Sequence, residues 1–331
     1  MQAIQVKVPG TAQALEVVDI PLPIPRENEV RVKAKFIGIS SADILIRKGV
    51  YSWMPPLPAI PGNEMVGVVD AIGAKVDQDL YGQLVLVSSR ELDFRGGCYA
   101  EAICVPATSV FLLPKTINPI DAVFLPNYQL AGAILYHSGV NLPKSVAVYG
   151  AAGGVGFGIS QLALADGIQT ISIVSSEEKK SFLKSAAIPY VLNRNQDHLL
   201  QEVMEITDGK GVDLVCAMGG DDFIHNLDLL APLGTLLSFG VLGGIPSDNI
   251  YSELRKRLGK SLGVRVYSIH TLDNNPKLRR GLLTRAIDLL AGGQMQAVAP
   301  TIFKLSEARL AHEYMESGAL MGKLVLVPDG Y

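Results

Sequence analysis

The sequence predicts a two-part α/β protein, a β-rich module joined to a doubly wound parallel sheet. Three observations predict it. Short strand patterns separated by proline and glycine fill the first third of the chain. Apolar strands alternate with helical stretches through the middle third, the pattern of a parallel sheet covered on both faces. One of those strands runs directly into a glycine-rich turn, Ser145–Gly156. A length of 331 residues fits two domains.

The strand patterns of the first third are Ala3–Val8, Glu29–Ile39, Met65–Ile72, Gln83–Val87, Tyr99–Val105 and Val110–Leu113. Turn signals at Pro21-Leu22-Pro23, Pro55-Pro56 and Gly96-Gly97 separate them. Met1–Val8 alternates apolar and polar residues and reads as a strand rather than a signal peptide. In the middle third, Val146–Tyr149 precedes a helix from about Val155 to Asp166, and Thr170–Val174 one from about Glu177 to Ala186. Tyr190–Leu192 precedes a helix from about Gln196 to Thr207, and Asp213–Cys216 one from about Asp221 to Ala231. Thr235–Phe239 and Leu262–Val266 complete six strands, the number in a doubly wound dinucleotide fold. Beyond Ser268, Asn275 caps a helix with Pro276 in its first turn. Leu278, Leu282, Leu283, Ala286, Leu289 and Leu290 line its apolar face, and Gly292-Gly293 stops it. A shorter helix, about Glu307 to Ser317, and a strand at Leu324–Val327 follow, and this tail is expected to complete the first module.

Composition narrows the function. Hydrophobic residues at 48% and charged residues at 18% supply large cores. Lys+Arg 29 against Asp+Glu 32 gives a net charge of −3, which argues against a protein that grips nucleic acid phosphates. No run of about 18 apolar residues predicts a membrane span. Cys98, Cys104 and Cys216 are too few for a disulfide framework or a four-cysteine zinc site, and they suit a reducing, cytoplasmic setting.

The turn Ala151-Ala152-Gly153-Gly154-Val155-Gly156 is the most informative segment. Its glycines let backbone approach a pyrophosphate, and the helix that follows offers N–H groups and a favourable dipole. Ala152, Gly153, Gly154 and Val155 are the candidate contacts, with Ala151 in place of the first glycine of the usual fingerprint. NAD readers usually carry a carboxylate at the tip of the second strand. Here that strand ends in Val174-Ser175-Ser176 with Lys179 close behind, and Arg194 follows the third strand. Two hydroxyls, an ammonium and a guanidinium suit a 2′-phosphate, so the expected cofactor is NADPH. Ser176 also reads as a helix cap.

These segments, with Thr207–Asp213, Pro61-Gly62-Asn63-Glu64-Met65-Val66-Gly67-Val68-Val69 and Gly322–Leu326, resemble the zinc-independent quinone oxidoreductases of the medium-chain dehydrogenase/reductase superfamily, in colinear order over essentially the whole chain. The resemblance implies an α/β fold with a GroES-like β-rich catalytic domain, residues 1–117 and 268–331, and a Rossmann doubly wound parallel sheet, residues 118–267. It also implies a homodimer joined through the sixth strands. Zinc members of the superfamily carry a cysteine where Ser40 stands and a histidine where Asn63 stands, and neither replacement is a good zinc ligand. The five histidines, His137, His198, His225, His270 and His312, lack ligand spacing and read as exposed or capping residues. Without zinc to acidify an alcohol, hydride transfer to a conjugated acceptor is the remaining chemistry.

The resemblance then gives site residues. Tyr51 matches a tyrosine proposed as a proton or hydrogen-bond donor in the related 2-enoyl thioester reductases, and it also reads as a lining residue. Ser40 occupies the place of an asparagine near the nicotinamide in many members, where it offers a hydroxyl or only a small spacer. Glu64 reads as the partner of a buried backbone or basic group. Gly219 after Met218, and Phe239 and Val241 around Gly240, sit where strands four and five deliver cofactor contacts, and Phe239 reads equally as a core residue. Lys323 matches a tail lysine that can approach the cofactor or lie in solvent, and Tyr128 is a candidate pocket residue. The expected function is an NADPH-dependent quinone or enone reductase acting on a small electrophilic substrate. The alternatives are a 2-enoyl thioester reductase and a non-catalytic NADPH-binding sensor or structural protein.

Overall fold

The computed structural model of the chain describes residues 1–219, 223–240 and 244–330. They form two compact units. One comprises residues 1–126, 284–292 and 297–331, the other residues 127–283 and 293–296. Residues 118–126 thus belong with the first unit and 268–283 with the second, and the division falls inside the helix Pro276–Ala291.

The second unit is built on a six-stranded parallel sheet. In spatial order the strands are Tyr190–Asn193, Gln169–Val174, Ser145–Tyr149, Val212–Ala217, Leu230–Ser238 and Gly263–Val266. Numbered along the chain this is 3-2-1-4-5-6, the Rossmann order, in which the direction of winding reverses beside the first strand. The sequence dictates it through strands that are largely apolar, Val146, Ala147, Val148, Ile171, Ile173, Val215 and Leu236 being fully buried, while the buried Ser172 within them is satisfied by the Ser160 hydroxyl. The helix Gly154–Ala165 packs on this sheet through Phe157, Ile159, Leu162 and Ala163.

One expected helix is corrected. In place of a helix from Asp221 to Ala231, the described residues form a short 3-10 turn, His225–Leu229, that runs into the strand Leu230–Ser238. Pro232 keeps Ala231 out of helical backbone, and the chain is drawn into the strand from Leu230 on. The buried leucines 227, 229 and 230 then face the sheet from extended and 3-10 backbone.

The first unit holds a seven-stranded sheet. Its central strand, Glu29–Ile39, pairs antiparallel with Glu64–Ile72 on one side and with Leu324–Val327 on the other, Leu324 opposite Ile39. Two strands carry no clear alternation in the sequence, Glu16–Asp19 and Thr301–Lys304, and both are largely exposed or half-buried. The core gathers Val30, Val32, Ile37, Ile39, Met65 and Val87 with Leu324 and Leu326 from the chain's end. No helix among the described residues is long and apolar enough to cross a membrane.

Candidate cofactor and acceptor site

At the end of the first parallel strand the chain turns at Gly150 and starts the helix at Gly154. Gly153 is the N-cap residue and brings no side-chain cap, so the first-turn N–H groups are left for an external acceptor. A β-carbon on Gly156 would collide with the Gly150 carbonyl, which is why only glycine lets the helix start this close to the strand. One on Gly153 would meet only the Gly150 carbonyl, 3.4 Å away. Gly153, Gly154 and Val155 are partly exposed and Ala152 is buried behind them. The turn therefore presents bare, accessible backbone at a helix N-terminus, and this cradle fits a pyrophosphate.

The adjacent strand tip carries the cations. Ser176 is the N-cap of the helix Glu177–Ser185 and accepts from the Lys179 backbone N–H, so the capping reading holds. The Lys179 ammonium lies 3.5 Å from the Ser175 hydroxyl. Burial first, and the charge of Arg194 second, push the Lys179 ammonium below its ordinary range. Glu177 is turned away, accepting from the amides of Asn193 at 2.8 Å and Gln196 at 3.2 Å. Two cations that disfavour each other beside a hydroxyl are a site that an anion of double charge would neutralise. Beyond the next strands, Met218 reaches over Gly150, and the Phe239 N–H donates to the Ala217 carbonyl at 3.1 Å. Gly219 holds a left-handed φ of 77°. Val241 lies outside the described residues.

In the first unit, Ser40 is the N-cap of the helix Ser41–Arg47, and its partner in a capping box is Asp43. One carboxylate oxygen of Asp43 accepts from the Ser40 N–H at 2.7 Å and the Ser40 hydroxyl at 2.9 Å. The other accepts from the Gly62 N–H at 3.0 Å and the Asn63 amide at 2.6 Å. Asp43 is fully buried, and burial pushes its carboxyl up to about 6 against the hydrogen bonds that favour its charge. The Ser89 hydroxyl in turn donates to the Asn63 side-chain oxygen at 2.7 Å. Tyr51 is partly exposed, its ring centroid 5.5 Å from that of Trp53.

Comparison with known proteins now has a site to test. Residues 26–115 match the model of the alcohol dehydrogenase GroES-like domain, and residues 186–326 that of the zinc-binding dehydrogenase domain. The mouse quinone oxidoreductase is 29% identical, with 99% of this chain and 98% of that protein covered. The human synaptic vesicle membrane protein VAT-1 homolog is 28% identical over 92% of this chain and 80% of its own. The structure of the Escherichia coli quinone oxidoreductase complexed with NADPH superposes with a TM-score of 0.85 at 28% identity, covering 99% of this chain and all of that one. The chain belongs to the quinone oxidoreductase family of the medium-chain dehydrogenases/reductases.

Set against that family's expected site, several residues stand in unexpected surroundings. Lys323 is not in solvent: its ammonium forms a buried ion pair with Glu64, which gives Glu64 the basic partner expected of it. Tyr128 is buried against Gly158 and donates to the Gln296 carbonyl at 2.9 Å, so it packs the Rossmann unit instead of lining a pocket. His312 overturns the reading of an exposed or capping histidine, being fully buried between Arg47 and Tyr99. No group of three or more metal-ligating residues occurs among the described residues. The sequence reading missed Asp43 and Ser89. The spacing Ser40-Ser41-Ala42-Asp43 carried the signal for the first, as a capping box, and nothing local signalled the second.

Proposed function

We propose that this quinone oxidoreductase family member is an NADPH-dependent, zinc-independent reductase that delivers hydride to a quinone or an α,β-unsaturated carbonyl compound. The carrying observation is the strand tip, where the Lys179 ammonium lies at the Ser175 hydroxyl and within reach of the charges of Arg194 and, more weakly, Glu178, with the carboxylate of Glu177 withdrawn. A 2′-phosphate relieves the repulsion between the two cations, whereas a bare ribose diol does not. The bare turn at Gly153, Gly154 and Val155 receives the pyrophosphate, with Ala152 packed behind it. Gly219 and Phe239 supply the walls beyond it.

When bound, NADPH supplies the hydride. The protein's own task is to hold the acceptor and receive the negative charge that develops on its oxygen. Tyr51 offers a phenolic hydroxyl for that oxygen. Ser40 has its proton committed to Asp43 and retains only acceptor capacity. With serine and asparagine at the positions that carry zinc ligands in other members, the reaction proceeds without a Lewis acid. We further propose that the enzyme is a cytoplasmic homodimer joined through the outer strand Gly263–Val266, where Val266 is 84% exposed.

The test follows loss of absorbance at 340 nm, a property of the reduced cofactor, with a quinone, an enone and an enoyl thioester. Turnover with the first two is expected. Each charge-assisted contact to the phosphate is worth about 1.5–3 kcal/mol. Lys179→Ala with Arg194→Ala is therefore expected to weaken NADPH binding by at least a hundredfold and leave NADH nearly unchanged. Equal affinity for both nucleotides in the unmodified chain, unaltered by the two substitutions, would refute the assignment. Turnover with the thioester alone, abolished in Tyr51→Phe, would make this an enoyl thioester reductase.

A further inference from the structure

The Ser40 hydroxyl has one proton, and Asp43 takes it. Asn63 presents the opposite case. A carboxylate can only accept, so the side of the Asn63 amide facing Asp43 must be its nitrogen, and the 2.6 Å contact fixes that side. The opposite side is its oxygen, held by the Ser89 hydroxyl at 2.7 Å. The Ser89 backbone N–H also donates to the Asn63 carbonyl at 2.8 Å, which ties the two residues at main-chain level. The amide therefore cannot turn over without breaking bonds on both sides. Its nitrogen carries a second N–H that has no acceptor among the described residues, and the residue is partly exposed.

The same brace extends to Tyr51. The Arg95 backbone N–H donates to the Trp53 carbonyl at 2.8 Å, and its guanidinium donates to the Ser89 carbonyl at 2.9 Å. Trp53 stacks at a tilt on Tyr51. The loop bearing the tyrosine and the locked amide thus share one support. One oxygen of Asp43 caps its own helix, while the other is spent on the Gly62 N–H and on holding the Asn63 amide in place.

We propose that Asn63, aimed by Asp43 and braced by Ser89, is a second catalytic hydrogen-bond donor, with Tyr51, to the acceptor's oxygen; this rests on the reductase reading above. When hydride adds to the β-carbon of an enone, the C=C π pair shifts toward the carbonyl and the charge settles on the oxygen. The Asn63 N–H donates to that enolate oxygen and keeps its proton, and the proton that completes the product comes from water. The hydride donor leaves as NADP+. Asp43 and Ser89 are positioning residues, acting only through Asn63.

The experiment uses the full chain and four variants: Asn63→Leu, which keeps the shape and removes the donor, Asn63→Ala, Ser89→Ala and Ser40→Ala. Three quantities are read at pH 8.5: kcat and KM with an enone, NADPH affinity, and affinity for 4-nitrophenolate by its absorbance shift, the phenolate imitating a developing oxyanion on a conjugated ring. Asn63→Leu and Asn63→Ala are expected to lose kcat by 10²- to 10³-fold, the usual cost of one oxyanion donor. Their NADPH affinity should stay within twofold and their phenolate affinity fall at least tenfold. Ser89→Ala should fall between them and the unmodified chain in kcat, and Ser40→Ala should change kcat less than Ser89→Ala. An Asn63→Leu protein that keeps kcat within threefold overturns the proposal, as does one that loses kcat but binds the phenolate as tightly as before. An unmodified chain that reduces no acceptor refutes the reductase reading instead, and phenolate binding in the same variants then decides the site alone.

Discussion

Acidification should unlock the first unit through a single imidazole. His312 is fully buried, with Nδ1 3.4 Å from the Arg47 guanidinium and Nε2 3.0 Å from the Tyr99 hydroxyl. A guanidinium only donates, so Nδ1 is the acceptor and the ring proton sits on Nε2. A second proton would face Arg47 directly. Burial first, and the Arg47 charge second, hold the imidazole down at about 3 from its ordinary 6.5, with Glu316 opposing. The sign follows. Below pH 6.5 the unfolded chain takes up a proton that the native state refuses until about pH 3, so stability falls with pH across that window. Each pH unit is worth about 1.4 kcal/mol, which gives about 2 kcal/mol lost between pH 7.5 and 5.0. Below about pH 4.5 Glu316 adds to the loss, because its hydrogen bond with Arg47 holds its carboxyl at about 2. The assay is urea unfolding at pH 7.5 and 5.0, on the unmodified chain and on His312→Gln, whose amide can still accept from Arg47 and donate to Tyr99 but cannot be protonated in this range. The variant should start less stable at pH 7.5 and lose about 2 kcal/mol less on the way to pH 5.0. Parallel losses in the two proteins would refute the reasoning.

Three further outcomes are expected. Gly156→Ala drives a methyl into the Gly150 carbonyl, so it should abolish measurable nucleotide binding and lower the melting temperature, both read by calorimetry. Lys323→Met leaves Glu64 ionised and buried without its cation, which should cost about 3–5 kcal/mol, and adding Glu64→Gln should restore much of it in chemical denaturation. If the proposed dimer forms through the exposed outer strand, Val266→Asp should turn a dimeric sedimentation profile into a monomeric one in analytical ultracentrifugation, with nucleotide affinity retained.

The elements legible in the sequence are those whose pattern is local. Glu29–Ile39 and Leu324–Val327 appear at their true bounds because burial there alternates or runs unbroken along the chain. The turn at Gly153 to Gly156 is legible because the strand before it, the helix after it and the crowding at Gly156 are all properties of contiguous residues. Glu16–Asp19 escaped notice because a strand exposed at most of its positions leaves no apolar period to read. The 3-10 turn at His225–Leu229 was misread as a helix because a leucine-rich run carries no signal of backbone type until Pro232 is weighed.

The acceptor side divides at a single residue. One oxygen of Asp43 serves its own helix start, and that half is visible as a serine followed three residues later by an acid. The other oxygen leaves the helix and takes Gly62 and Asn63, and the Asn63 amide goes on to Ser89. Those partners are separated along the chain by 19, 20 and 26 residues, distances over which sequence spacing carries no geometry. In the sequence Asn63 registers only as an absent zinc ligand, and Ser40 as another that stands where many members have an asparagine near the nicotinamide. In the folded unit they are two donors on one carboxylate, and only the second has a proton left to give.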